Sequence, residues 1–197
     1  MRKVILLLIS LPVVLFSCDR FKNKETGATK DMRIVCLSKH LTEMVFALGK
    51  GHDIVACDLS STFPDSAKLL PTVGYHRALN PEGIIAVEPD LVIHSNDIGP
   101  ENVLPQIEKA SLKTKAFGGA NTIDSAKLLM TELGHFFGEE KKADSLNKKM
   151  DADIAKAAEA LKALNLKDTP SVMIIHFGRA NNVYFVMSGR GRTGDKL

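Results

Sequence analysis

Tyr75, His76 and Arg77 stand in the run Leu70-Pro71-Thr72-Val73-Gly74-Tyr75-His76-Arg77 of a chain with only two tyrosines. A phenol among turn residues is either an exposed binding anchor or an ordinary surface side chain. To serve as a ferric-iron ligand it needs help. A phenol titrates near pH ~10, so a phenolate at neutral pH requires a nearby cation or the metal itself. Arg77, two residues on, could supply that charge. His40, His76, His94 and His176 fall at or near the C-terminal ends of expected strands, where an open α/β sheet presents its ligand crevice. A single histidine there is a ligand or a hydrogen-bonded loop residue. No pair has the spacing that makes a metal site from sequence alone.

Two further patterns bear on chemistry. Gly189-Arg190-Gly191-Arg192-Thr193-Gly194 fits the dinucleotide-binding pattern Gly-x-Gly-x-x-Gly. That pattern works with a helix N-terminus to meet the pyrophosphate and an acidic residue about 20 positions on, and Asp195-Lys196-Leu197 supply neither. The three cysteines, Cys18, Cys36 and Cys57, include no Cys-x-x-Cys pair, which excludes a zinc ribbon or a disulfide-stapled miniprotein. Cys36 and Cys57 fall in two strands expected to be neighbours, as buried thiols or, given suitable geometry, as a disulfide.

The elements that must position these groups follow a strand, turn, helix rhythm. Residues 33–37 are β-branched and apolar, and 42–48 carry apolar residues at helical spacing up to Gly49. Residues 53–57 form a second strand. Residues 81–87 form a short helix with Asn80 as cap and Pro81 at its first position, followed by a strand at 91–94, a helix at 101–110 and a strand at 113–117. Strands alternating with helices predict an α/β fold with a parallel sheet. Residues 122–164 show no strand signal and divide at Gly138. The longer part, 139–164, places Ala143, Leu146, Met150, Ile154, Ala157, Leu161 and Leu164 three and four apart and predicts a spine helix about 39 Å long. Strands are then expected at 172–176 and 183–187. The expected organisation is therefore a first α/β lobe over 32–120, a helical spine over 121–167, and over 168–197 the start of a second α/β lobe that is truncated.

The 197 residues are 45% hydrophobic and 25% charged, the mix of a globular protein with a real core. Twenty-six basic side chains stand against 23 acidic ones, a net charge of +3. The basic residues are scattered rather than gathered in a stripe, which argues against nucleic acid as a partner. The N-terminus is a segment of another kind. Arg2 and Lys3 precede an apolar block from Val4 to Phe16, in the order of a secretory signal peptide over residues 1–17. The block is too short for a spanning helix, which takes roughly 20 apolar residues. Residues 18–31 are polar and read as a flexible tether.

The ending Leu15-Phe16-Ser17-Cys18 resembles the lipobox of bacterial lipoproteins, which implies lipidation of Cys18 and a membrane anchor on the outer side. The folded part resembles a family as well. The runs Arg33 through Gly49, Val55-Ala56-Cys57-Asp58, Leu70 through Ala86 and Pro89-Asp90-Leu91-Val92-Ile93 look, in this order, like the substrate-binding proteins of ABC importers for iron compounds and cobalamin. Gly74-Tyr75-His76-Arg77-Ala78-Leu79 and Asn96-Asp97-Ile98-Gly99-Pro100 are similar to the haem (hemin) importer branch. The resemblance implies an incomplete class III periplasmic-binding-protein fold and capture of ferric haem for delivery to an ABC permease, with haem as the transported ligand and no catalysis. Tyr75 matches the axial haem tyrosine, Arg77 the arginine that hydrogen-bonds to it, and Glu82 the carboxylate that docks on the permease. His76 and His176 are further ligand-binding candidates. The strand Ile174-Ile175-His176-Phe177 resembles the opening of the family's second lobe, and the glycine run its second-lobe turn. A siderophore-iron or cobalamin binder is the alternative within the family, and a nucleotide-dependent enzyme the alternative outside it.

If Cys18 carries the anchor, Cys18→Ser should release the protein from membrane fractions and abolish incorporation of labelled palmitate. Unchanged labelling would remove the anchor.

Overall fold

A computed structural model describes residues 32–165 in full, and residues 174–177 and 184–187 as strand backbone. The segments expected as signal peptide and tether, Cys18, the side chain of His176 and the glycine run lie outside the described residues.

Apolar residues in succession along residues 34–37 demand burial on both faces, since successive side chains of a strand point to opposite sides. The fold provides it. Strand β1 (Ile34–Cys36) lies inside a four-stranded sheet of order β2-β1-β5-β6, with β2 (Ile54–Cys57), β5 (Leu91–Ser95) and β6 (Thr114–Phe117). Every pairing is parallel, with Ile34 opposite Ile54 and Leu91, and Ile93 opposite Lys115. Ile34, Cys36, Ile93 and Phe117 face one core, with Leu41 and Val45 of helix α1 (Lys39–Ala47) and Leu129, Met130 and Leu133 of α4 (Ile123–Phe137). Val35, Leu37 and Val92 face the other, with Ile84 of α2 (Pro81–Ala86) and Val103 and Ile107 of α3 (Val103–Lys109). Helices therefore cover both faces of the sheet, as right-handed crossovers between parallel strands require.

The helix ends follow their local signals. Asn80 caps α2, its side-chain oxygen accepting from the Glu82 N–H at 3.0 Å, with Pro81 in the first turn. Thr122 and Ser125 form a reciprocal capping box on α4, and Gly138 ends that helix at φ +68°. Helix α5 (Glu140–Ala163) then runs back along α4. Lys127 reaches Asp151 at 2.6 Å and Asn147 donates to the Lys127 carbonyl at 3.1 Å. Of the expected apolar stripe on α5 only Ala143 is fully buried, and Leu161 and Leu164 are exposed. Among the described residues no helix is long and apolar enough to cross a membrane.

Two departures from the sequence reading matter. Helix α1 starts at Lys39, three residues before the expected bound: Lys39 and His40 complete its first turn and Leu41 already faces the core. Residues 74–79, expected as a loop, form a hairpin: β3 (Gly74–Tyr75) pairs antiparallel with β4 (Ala78–Leu79) around His76 and Arg77. Neither turn residue has a positive φ, so the Asn-Gly type of signature that marks a two-residue hairpin is absent. Strands β7 (Ile174–Phe177) and β8 (Tyr184–Met187) pair antiparallel with each other.

At Gly134 α4 and the start of α5 approach closely: a Cβ placed there would collide with the Ala143 Cβ. Overpacking at such a point costs about 1–3 kcal/mol, more than the ~1 kcal/mol by which Ala outranks Gly in a helix. Gly134→Ala should therefore lower the urea midpoint, and adding Ala143→Gly should restore much of it. A single variant as stable as the wild type would disprove the close approach.

Candidate functional site

The C-terminal ends of β2, β1 and β5 point the same way, and the loops leaving them meet the hairpin. Such an edge is where open parallel sheets present their ligand crevices. Asp58, directly after β2, is buried, and its N–H donates to the Cys36 carbonyl of β1 at 3.1 Å. Its carboxylate accepts from the Ser60 N–H at 2.9 Å, from the Ser60 hydroxyl, and from the Ser61 hydroxyl at 2.6 Å. Ser61 pairs in turn with Thr42 of α1 at 2.9 Å. A buried carboxylate survives when its lone pairs are filled this way.

The hairpin is tied to the same edge. Leu59 N–H donates to the Gly74 carbonyl at 2.8 Å, Gly99 N–H to the His76 carbonyl at 2.8 Å, and Leu79 N–H to the Gly99 carbonyl at 2.9 Å. Gly74 has φ +106°, a conformation that calls for glycine, and a Cβ on Gly99 would stand a tight 3.2 Å from the Arg77 carbonyl. Tyr75 emerges 45% exposed. Its ring meets the His76 ring edge-on, with centroids 4.3 Å apart. The imidazole of His76 lies between two carboxylates, Nδ1 3.6 Å from Asp58 and Nε2 3.8 Å from Asp97.

Asp97, after β5, also lies 3.8 Å from the Arg77 guanidinium. The hydroxyl of Ser95 bonds its carboxylate and is the main cause of a pKa below the usual range, with the charges of His76 and Arg77 acting in the same direction. On the other side, Ser38 before α1 makes no side-chain cap and instead pairs with His40 Nδ1 at 2.8 Å. Burial pushes the His40 pKa down, favouring a neutral ring. A small pocket of about 40 Å³ lies among Ser38, Lys39, His40, Ser60, His76 and Asp97.

Tyr75, His76 and Arg77 thus share one turn, and His40 stands across the pocket from His76. The Arg77 guanidinium is directed to Asp97, and among the described residues the Tyr75 hydroxyl has no hydrogen-bond partner. Glu82 lies apart, exposed in the first turn of α2. His94 is buried in β5, its Nδ1 3.0 Å from the Ser95 carbonyl, and does not reach the edge. Asp58, Ser60 and Ser61 escaped the sequence reading. Their signal was the polar cluster Asp58-Leu59-Ser60-Ser61-Thr62 straight after a buried strand. Among the described residues no group of three potential metal-ligating side chains of His, Cys, Asp or Glu is clustered.

A parallel sheet covered on both faces, with polar and aromatic groups gathered at its C-terminal edge, defines a ligand-binding α/β lobe. The chain belongs to the periplasmic binding protein family, whose model matches residues 34–197. It is 28% identical over 159 residues to the uncharacterized ABC transporter substrate-binding lipoprotein YvrC of Bacillus subtilis (strain 168), covering 79% of this chain and 50% of that one. It is 29% identical over 112 residues to the vitamin B12-binding protein of Pectobacterium carotovorum subsp. carotovorum (strain PC1), covering 57% of this chain and 40% of that one. Among solved structures it is similar to the apo form of the periplasmic heme-binding protein RhuT from Roseiflexus sp. RS-1, with a TM-score of 0.70 and 31% identity, over 79% of this chain and 59% of that one. The chain spans about half the length of these relatives.

Cys36 and Cys57 are register partners across β1 and β2, and both are buried free thiols. Burial, reinforced by the nearby Asp58 charge, pushes Cys36 up to about 12 and Cys57 up to about 11. A folded pKa raised above the unfolded one gives stability that is complete below the ordinary thiol value of 9.0 and is lost as pH climbs through the folded value. Iodoacetamide at about pH 8 should therefore spare both thiols in the native chain and modify both in urea, and the urea midpoint should fall between about pH 9 and 11. Rapid native modification at either position would contradict this burial.

Proposed function

We propose that this chain is the extracytoplasmic substrate-binding component of an ABC importer, and that it captures ferric haem (hemin) and hands it to the permease without catalysing a reaction. Tyr75 carries the reading. It is a half-exposed phenol at the crevice edge of a parallel sheet, with its hydroxyl free of partners among the described residues. Ferric iron takes the phenolate, and the cationic Arg77 on the same turn lowers the cost of ionising it. Leu59, 58% exposed and bonded through its backbone to Gly74, offers apolar surface beside Tyr75 for a porphyrin face. Similarity to a periplasmic heme-binding protein supports the same ligand.

In this reading residues 32–120 form the first lobe, 121–167 the spine and 168–197 the opening of the second lobe, from which His176 contributes a ligand contact. Cys18 is the lipid anchor. Glu82, exposed at the start of α2, is the carboxylate that meets arginines of the permease. A siderophore-iron or cobalamin ligand is the second reading, favoured by the similarity to a vitamin B12-binding protein. Neither ligand calls for a phenolate. A nucleotide-dependent reaction rests on the glycine run alone, and titration with nucleotides tests it.

Hemin added to the chain should give a high-spin ferric spectrum with a phenolate charge-transfer band. Tyr75→Phe should abolish that band and weaken binding by roughly tenfold or more, about 1.4 kcal/mol, with a smaller loss in Arg77→Ala. Hemin bound by Tyr75→Phe with the wild-type spectrum and affinity would overturn the assignment. Cobalamin binding without hemin binding would favour the second reading.

A further inference from the structure

The hairpin that carries Tyr75 has two residues in each strand, too few to hold itself in water. Main-chain bonds through Gly74, His76, Leu79 and Gly99 fix its backbone, but they leave the tyrosine ring free to turn. One side chain of the turn reaches from the tip back to the sheet. His76 places Nδ1 3.6 Å from Asp58 and 3.5 Å from the Ser60 hydroxyl, and Nε2 3.8 Å from Asp97. Asp58 follows β2 and Asp97 follows β5, strands separated by β1 in the sheet, so the imidazole bridges two independent loops.

We infer that His76 is a positioning residue for Tyr75: braced between Asp58 and Asp97, its ring holds the tyrosine edge-on in one orientation, so that the phenol is presented to ferric haem before the ligand arrives. This rests on the haem reading above. The brace has a firm footing. Asp58 is locked by Ser60 and Ser61, and Ser61 by Thr42, so the line Thr42, Ser61, Asp58, His76, Tyr75 runs from α1 to the binding group. Imidazole suits the task because its two ring nitrogens lie on opposite edges, and in the imidazolium form each carries an N–H that can face one of the carboxylates. Its flat ring can also take the edge-to-face contact with Tyr75, at an interplanar angle of 60°. Ordering the phenol in advance removes an entropic cost that binding would otherwise carry.

The test uses the full chain with His76→Leu, His76→Gln, Asp97→Asn and the double His76→Leu/Asp97→Asn. Asp97 is an exposed side chain whose replacement leaves the core untouched. Without ligand, carbon-13 NMR of the Tyr75 ring should show one ordered environment in the wild type and averaging in His76→Leu. With hemin, His76→Leu should dissociate about tenfold faster, the scale expected for leaving one side chain unordered, and its charge-transfer band should broaden. His76→Gln, which keeps one nitrogen-bearing arm, should fall between. The double variant should lose less than the two single variants together, because the His76–Asp97 contact is removed by either change, while the part of the Asp97→Asn loss that passes through Arg77 remains. An ordered ring and an unchanged dissociation rate in His76→Leu would overturn the inference, as would full additivity in the double variant. The ring measurement decides the brace whether or not hemin binds, whereas loss of the band in Tyr75→Phe decides the haem reading.

Discussion

A buried carboxylate whose hydrogen-bond donors come from its own loop is the constraint on which the candidate site depends. Asp58 must find donors, because an unpaired charge inside a protein is far too costly to persist. Ser60 and Ser61 provide them only if the chain turns tightly after β2, and that turn sets where Leu59 meets Gly74. Asp58, whose backbone N–H donates to the Cys36 carbonyl of β1, offers its carboxylate edge to His76. One polar group thereby couples the end of the sheet, the start of α1 and the tip of the hairpin.

The parallel sheet supplies the rigidity this arrangement needs. Cores on both faces fix the strands, so the loops at their C-terminal ends begin from defined points. The groups gathered there are of mixed type: an exposed phenol, guanidinium, carboxylate and lysine, with two half-buried imidazoles behind them. Such a surface can meet a ligand that is apolar over most of its area and charged at its margin, which is the chemistry proposed for it.

Much of this was legible in the sequence, and the reasons differ from part to part. The strands appeared as short β-branched runs, and α2 announced itself through Asn80 and Pro81, because these signals are local. The parallel class followed from alternation. Strand order did not, since nothing within β1 records that β5 lies on its other side. The hairpin was missed because its turn, His76-Arg77, lacks residues of positive φ and its stability comes from Gly99, more than 20 positions away. Tyr75, His76 and Arg77 could be singled out as types. Their partners Asp58 and Asp97 could not, because the distances that join them are set by two crossovers and a hairpin. Along α5 apolar spacing records which face can be covered, and among the described residues only the part against α4 is.

Strand β6 ends the sheet on one side among the described strands, and its outer row of peptide groups has no ladder partner there. The opposite side is extended past β2 by a bridge between Cys57 and Thr72. An open strand is an invitation to cross-chain pairing, and this one carries its own deterrent. Lys115 projects from the middle of β6, 3.9 Å from Glu132 and 5.3 Å from the centre of the Phe117 ring. A foreign strand laid against β6 would have to strip water from that ammonium group, so this one lysine opposes strand addition at the open edge.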